Sequence, residues 1–154
     1  MDSSAPFDIS EFPHITQIRL KSFTGELGGK IRINCSGITP KQQKGPTCGL
    51  VALSMCLEHF GVVVDVETIL EKAREMGFTK QGEMYSAEFL ASLINEFLPN
   101  SASASNFPDA KTFSQSIFDG NLLLIAYDCG PNYQPVYKNG NSAHWLLAVS
   151  LAPA

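Results

Sequence analysis

Two side chains in this sequence are placed to do nucleophilic chemistry together, Cys48 and His144. In QQKGPTCGLVALSMCLEHFG, residues 42–61, a Gly-Pro-Thr turn delivers Cys48 to the start of an almost wholly apolar helix. The first turn of a helix carries N–H groups without intrahelical partners and the positive end of the macrodipole, so a thiolate placed there is stabilised. About a hundred residues later, His144 stands in SAHWLLAVSL at the mouth of an expected strand. The strand, with Trp145 beside it, would fix the imidazole at one edge of a cleft as a general base. A glutamine five or six residues before the cysteine, Gln43 or Gln42, can offer a side-chain N–H to a developing oxyanion beside the Cys48 backbone N–H. Spacing alone leaves both glutamines open.

The other candidates are weaker. His59 lies on the same helix as Cys48 and, at about 1.5 Å rise per residue, is about 16 Å from it. His14 has no context that would orient it. Asp128 and Asn132 are polar loop residues that could line the cleft. A residue to orient His144 is expected after it in a peptidase of this chain order, but Trp145–Ala154 contains neither Asp nor Asn. Cys35, Cys56 and Cys129 read as free, buried or half-buried thiols. Cys48 and Cys56 would sit about 12 Å apart along one helix, beyond disulfide reach.

The elements that must position these groups are legible from periodicity and punctuation. Residues 1–13 read as a flexible leader, and residues 14–154 as one domain. HITQIRLK (14–21) and KIRIN (30–34) alternate apolar and polar as half-buried strands do, with glycines between them that suit a hairpin. Helices are expected over 49–60, stopped by Gly61; over 66–76, capped by Asp65 and stopped by Gly77; over 86–98, capped by Ser86; and over 111–118. NLLLIAY (121–127) reads as a buried strand, and a polar loop then leads to a strand over 144–151. That last strand is expected to have an open edge for want of a partner. Helices followed by strands, without a repeat, predict an α+β domain: a central buried helix carrying the cysteine, packed on an antiparallel sheet carrying the histidine.

Composition narrows the function classes. The chain has 154 residues, 44% hydrophobic and 17% charged, with a net charge of −4. It is sized for one globular domain and has no general attraction for nucleic acid or anionic membranes. No apolar run reaches the roughly 18–20 residues that cross a bilayer. The start, MDSSAPFDISEF, lacks a basic-then-apolar signal layout, so a cytoplasmic location is expected. There is no HExxH, no CxxC and no metal-like Cys/His spacing, so neither a metal nor a cofactor is expected.

Cysteine first and histidine later on a strand is the chain order of papain-like cysteine peptidases. More specifically, QKGPTCGLVALSM, FTKQGEMYSAEFLASL and AYDCGPNYQPVYKNGNSAHWLLAVS resemble the actin maturation protease family, itself related to bacteriocin-processing cysteine peptidases. The likeness runs from about Gln42 to Ser150. It implies a papain-like fold and a cysteine aminopeptidase that removes the N-acetylated Met or Cys from the N-terminus of immature actin. By position, Cys48 would be the nucleophile, His144 the base and Gln43 the oxyanion amide. Actin would be the substrate, and profilin a partner through a longer, proline-rich leader, of which this chain shows only Pro6 and Pro13. Family members also continue past the His-Trp block, so the chain reads as a short or truncated form. The competing expectation is a catalytically impaired isoform that serves as an actin- or profilin-binding module.

Overall fold

The computed structural model describes residues 31–33, 38–106, 108–148 and 151–153. In chain order these form strand β1 (Ile31–Ile33), helices α1 (Cys48–His59), α2 (Val66–Glu75), α3 (Ala87–Phe97) and α4 (Ala110–Phe118), and strands β2 (Leu123–Asp128), β3 (Ala143–Ala148) and β4 (Leu151–Pro153). The class is α+β, as expected. Residues 1–13, the strand expected over 14–21 and Cys35 lie outside the described residues. Among the described residues no helix is long and apolar enough to cross a membrane.

Helix α1 is the axis of the core. Leu50, Leu53 and Leu57 on it are essentially fully buried, against Ile69, Leu70 and Ala73 of α2 and Leu90, Leu93 and Ile94 of α3. Burying each such leucine stabilises the fold by about 1.5–3 kcal/mol. Ser54, a polar residue in this apolar helix, is completely buried. Its hydroxyl donates to the Val64 carbonyl at 2.8 Å and accepts from Lys41 Nζ at 2.7 Å, so the burial leaves no orphaned group.

Punctuation places the helix ends where it should. Asp65 accepts from the Thr68 N–H and Ser86 from the Phe89 N–H, each capping its helix. Asp109 does the same for α4 and starts it one residue earlier than expected. Gly61, at φ +82°, closes α1 with paired bonds: Gly61 N–H to the Glu58 carbonyl and Val62 N–H to the Leu57 carbonyl. That left-handed closure is one glycine enters without a Cβ penalty.

The strands form two antiparallel pairs. β2 and β3 run from Leu123 opposite Ala148 to Asp128 opposite Ala143, which sets Tyr127 directly across from His144. The expected single strand over 144–151 is divided. β3 ends at Ala148, and β4 resumes at Leu151 to pair with β1, Ile33 lying opposite Leu151. Among the described residues β3 pairs with β2 alone, whereas β4 finds its partner more than a hundred residues upstream, a pairing that no local pattern encodes.

Candidate active site

Cys48 is the first residue of α1 and is half-buried. The helix begins differently from the other three. Thr47 occupies the cap position, but its side chain makes no cap bond; its hydroxyl instead donates back to the Lys44 carbonyl at 2.8 Å. No acidic residue stands in the first turn. The first helical bond is from the Val51 N–H to the Thr47 carbonyl, so the Cys48, Gly49 and Leu50 N–H groups lie ahead of it. This is a helix start to which no side-chain cap brings negative charge, with a thiol at its tip.

The tip is clamped between a loop and a strand. A Cβ on Gly49 would lie 3.0 Å from Trp145 Cδ1 and 3.1 Å from Met84 Cβ, so only a glycine fits there without displacement. Trp145 is buried, and its indole Nε1 donates to the Met84 carbonyl at 2.7 Å. Gly82, at φ +118°, brings the same loop against Thr47, whose Cγ2 would be 2.5 Å from an added Cβ. The loop is held by Glu83, whose carboxylate accepts from the Gln81 N–H and the Thr79 hydroxyl. The residue after the cysteine thus packs on the residue after the histidine, which fixes α1 against β3 at the level where chemistry would occur.

His144 itself points elsewhere than Trp145, because successive strand residues take opposite faces. Its neighbour across the ladder is Tyr127, and their rings meet edge-on at 5.8 Å between centroids. Tyr133, from the loop between β2 and β3, lies against the imidazole at 5.6 Å. The Tyr127 hydroxyl donates to the Tyr133 carbonyl at 3.0 Å. Partial burial pushes the Tyr127 phenol up from its ordinary value, and Cys129, Tyr133 and Cys48 add to the shift. Among the described residues no hydrogen bond joins Cys48 directly to His144.

The remaining expected groups are accounted for differently. Gln43 and Gln42 are both exposed, and Gln43 Nε2 donates to the Gly45 carbonyl at 2.6 Å. One of its N–H bonds is thus used by its own loop. Among the described residues no hydrogen bond joins Asp128 to His144. One carboxylate oxygen accepts from the Lys138 and Gly140 N–H groups and the other from Ser142 N–H, which holds its carboxyl below the usual carboxylate range. Asp128 organises the loop over 129–142. Asn132 is exposed, and its N–H is taken by Gln134 Oε1. His59 packs edge-on against Phe60, at the far end of α1. Cys56 is buried, which pushes its thiol up, whereas Cys129 is half-buried. Among the described residues no group of three or more His, Cys, Asp or Glu side chains is placed to hold a metal ion.

Sequence reasoning missed Tyr127, Tyr133 and Met84. The one local signal was the apolar run NLLLIAY, which marks Tyr127 as a strand residue; its register against His144 is a tertiary fact. Tyr133 is unusual in its backbone as well. Its φ is +58°, a left-handed conformation that costs a side-chain-bearing residue about 1–2 kcal/mol. Two bonds hold it there: its N–H to the Gly130 carbonyl, and its carbonyl accepting from Tyr127.

With this geometry in hand, comparison with known proteins is specific. The family model described as actin maturation protease-like, C-terminal domain, matches residues 38–151. The actin maturation protease of Drosophila melanogaster is 38% identical over 110 residues, covering 70% of this chain and 40% of that protein. The Mus musculus actin maturation protease is 34% identical over 123 residues, 76% of this chain and 34% of its own length. That of Xenopus tropicalis is 34% identical over 143 residues, 89% of this chain and 47% of its own. The chain thus spans less than half the length of each of these relatives.

Proposed function

From the premise that this chain belongs to the actin maturation protease-like family, we propose that it carries the thiol chemistry of a papain-like cysteine aminopeptidase. Its substrate on this reading is the N-terminus of immature actin, from which it removes the N-acetylated Met or Cys. The observation that supports this most is the position of Cys48: first residue of a buried helix without a side-chain cap, locked through Gly49 to the strand that bears His144.

The reaction divides between the two residues. His144 takes the proton of the Cys48 thiol, and the thiolate attacks the carbonyl carbon of the substrate's first residue, forming a C–S bond. The oxyanion that develops lies at the positive end of α1, within reach of the Cys48 N–H; the free N–H of Gln43 is the expected second donor. Collapse breaks the C–N bond, and His144 gives its proton to the departing amine of residue two. Water, deprotonated by His144, then cleaves the thioester, releasing the N-acetylated amino acid and restoring the thiol. Hydrogen bonds between catalytic groups commonly tighten only in the substrate complex. The direct Cys48–His144 bond is thus expected to form as substrate binds.

The test is cleavage of an acetyl-Met-Asp actin peptide, with product identified by mass spectrometry. Cys48→Ala and His144→Ala should each abolish turnover, and iodoacetamide should label Cys48 ahead of Cys56 and Cys129. Retained turnover in Cys48→Ala, or faster labelling of Cys129, would refute the assignment of the nucleophile.

A further inference from the structure

His144 is expected to act on Cys48, and a general base needs something to hold its ring at the working angle. The neighbouring carboxylate, Asp128, is committed to three backbone N–H groups of its own loop. What does touch the imidazole is aromatic. Tyr127 meets it edge-on and Tyr133 lies tilted against it, with ring centroids 5.8 and 5.6 Å away. We propose that Tyr133, pinned by Tyr127, is a positioning residue that holds the His144 imidazole and favours its protonated form during the reaction. The proposal rests on the reading of Cys48 and His144 as a working pair.

Three observations carry it. First, Tyr133 is 69% exposed as a residue, so burial of its own apolar surface does not explain its placement against His144. Second, its backbone is held in the left-handed region by two hydrogen bonds, one of them from the residue directly across the ladder from the histidine. Strained side-chain-bearing residues held by surrounding bonds cluster at working sites. Third, the loop that presents it is built rather than slack. The Asp128 carboxylate gathers its far end, the Gly130 N–H bonds the Gln134 carbonyl, and Cys129 bridges to Pro135.

The chemistry suits an imidazolium. A cation over the face of an aromatic ring and within about 6 Å of its centre is favoured, by about two- to fivefold at an exposed site, and the tilted Tyr133 ring stands at 5.6 Å from the imidazole. A thiol peptidase gains from this, since its resting nucleophile is a thiolate beside a protonated histidine. The titratable and charged groups around this corner include Cys48, Tyr127, Cys129 and Tyr133, with Asp128 and Lys138 on the adjoining loop, together with His144 itself.

The experiment uses Tyr133→Gly, which removes the ring and suits the left-handed backbone, alongside Tyr133→Phe, which keeps the ring. Labelling of Cys48 by iodoacetamide is followed from about pH 5 to about pH 8, where histidine changes charge, and peptide turnover is measured in parallel. Tyr133→Gly should melt no lower than the parent. It should lose about two- to fivefold in labelling rate at the acid end and lower kcat with KM little changed. Tyr133→Phe should match the parent in all three. In a His144→Ala background, Tyr133→Gly should have no further effect on labelling, because its action runs through the imidazole. Loss in His144→Ala but none in Tyr133→Gly overturns the positioning role and leaves the pair intact. An effect that persists without His144, or a raised KM with kcat kept, also overturns it. A labelling profile unchanged by His144→Ala removes the pair, and the proposal with it.

Discussion

Replacing Gly49 by alanine sets two effects against each other at the point where the cysteine helix meets the histidine strand. In a helix interior, glycine to alanine stabilises by about 1 kcal/mol, and by less in the first turn, where Gly49 stands. Against that, the added methyl would sit 3.0 Å from Trp145 Cδ1 and 3.1–3.3 Å from Met84 Cβ and Cγ. Neither neighbour yields easily. Trp145 is tied to the Met84 carbonyl by its indole N–H and is itself buried. Overpacking of this kind costs about 1–3 kcal/mol. The net expectation is destabilisation by about 1 kcal/mol, a fall of roughly 2–4 °C in melting temperature for a chain of this size. Turnover should fall further than stability does. Relief of the clash moves β3 away from the tip of α1, and an ångström of misplacement between reacting groups can cost on the order of a hundredfold. Thermal melts and peptide kinetics on Gly49→Ala measure both quantities. Adding Trp145→Phe, which removes the indole N–H and frees space, should give a double variant better than the sum of the two single losses. A Gly49→Ala protein that melts higher than the parent and cleaves at the parent's rate would refute the claim that this contact sets the geometry.

Two other outcomes follow from bonds already described. Asp128→Asn should loosen residues 129–142, seen as faster proteolysis within the loop and lower turnover at neutral pH. In the parent, the folded state holds the Asp128 carboxyl below its ordinary value near 3.8, so its stabilising effect is present above that value and lost as the pH falls through and below it. Acid melts of the parent and of Asp128→Asn should therefore converge at low pH and separate near neutrality. Lys41, seven residues before Cys48 and so a candidate cation for a substrate groove, bonds Ser54 and pairs with Glu58 at 2.7 Å on the flank of α1. Lys41→Gln should lower the melting temperature and leave KM and its salt dependence unchanged; a KM that rises would return Lys41 to the groove.

Sequence by itself determined whatever is carried by contacts a few residues long. Asp65 and Ser86 bond N–H groups three residues on, and Gly61 and Gly77 supply left-handed closures, so helix positions were readable to within a residue or two. The apolar run after Cys48 likewise announced a buried helix with a thiol at its tip, and the three motif blocks announced the family. Only the tertiary structure decided what depends on register and on partners far along the chain. The pairing of residues 151–153 with 31–33 closes a loop of more than a hundred residues, and the Trp145–Met84 bond spans 61. Lys41, Gln43 and Asp128 show the same limit in side chains. Each has a charge or amide suited to the site, yet each is held by a bond that competes with that use. Residue type fixes what a group can bond to; which partner it takes is settled by the distances that packing creates. Tyr133 reaches His144 for that reason, since its place depends on the strand register, the carboxylate-gathered loop and a left-handed backbone acting together.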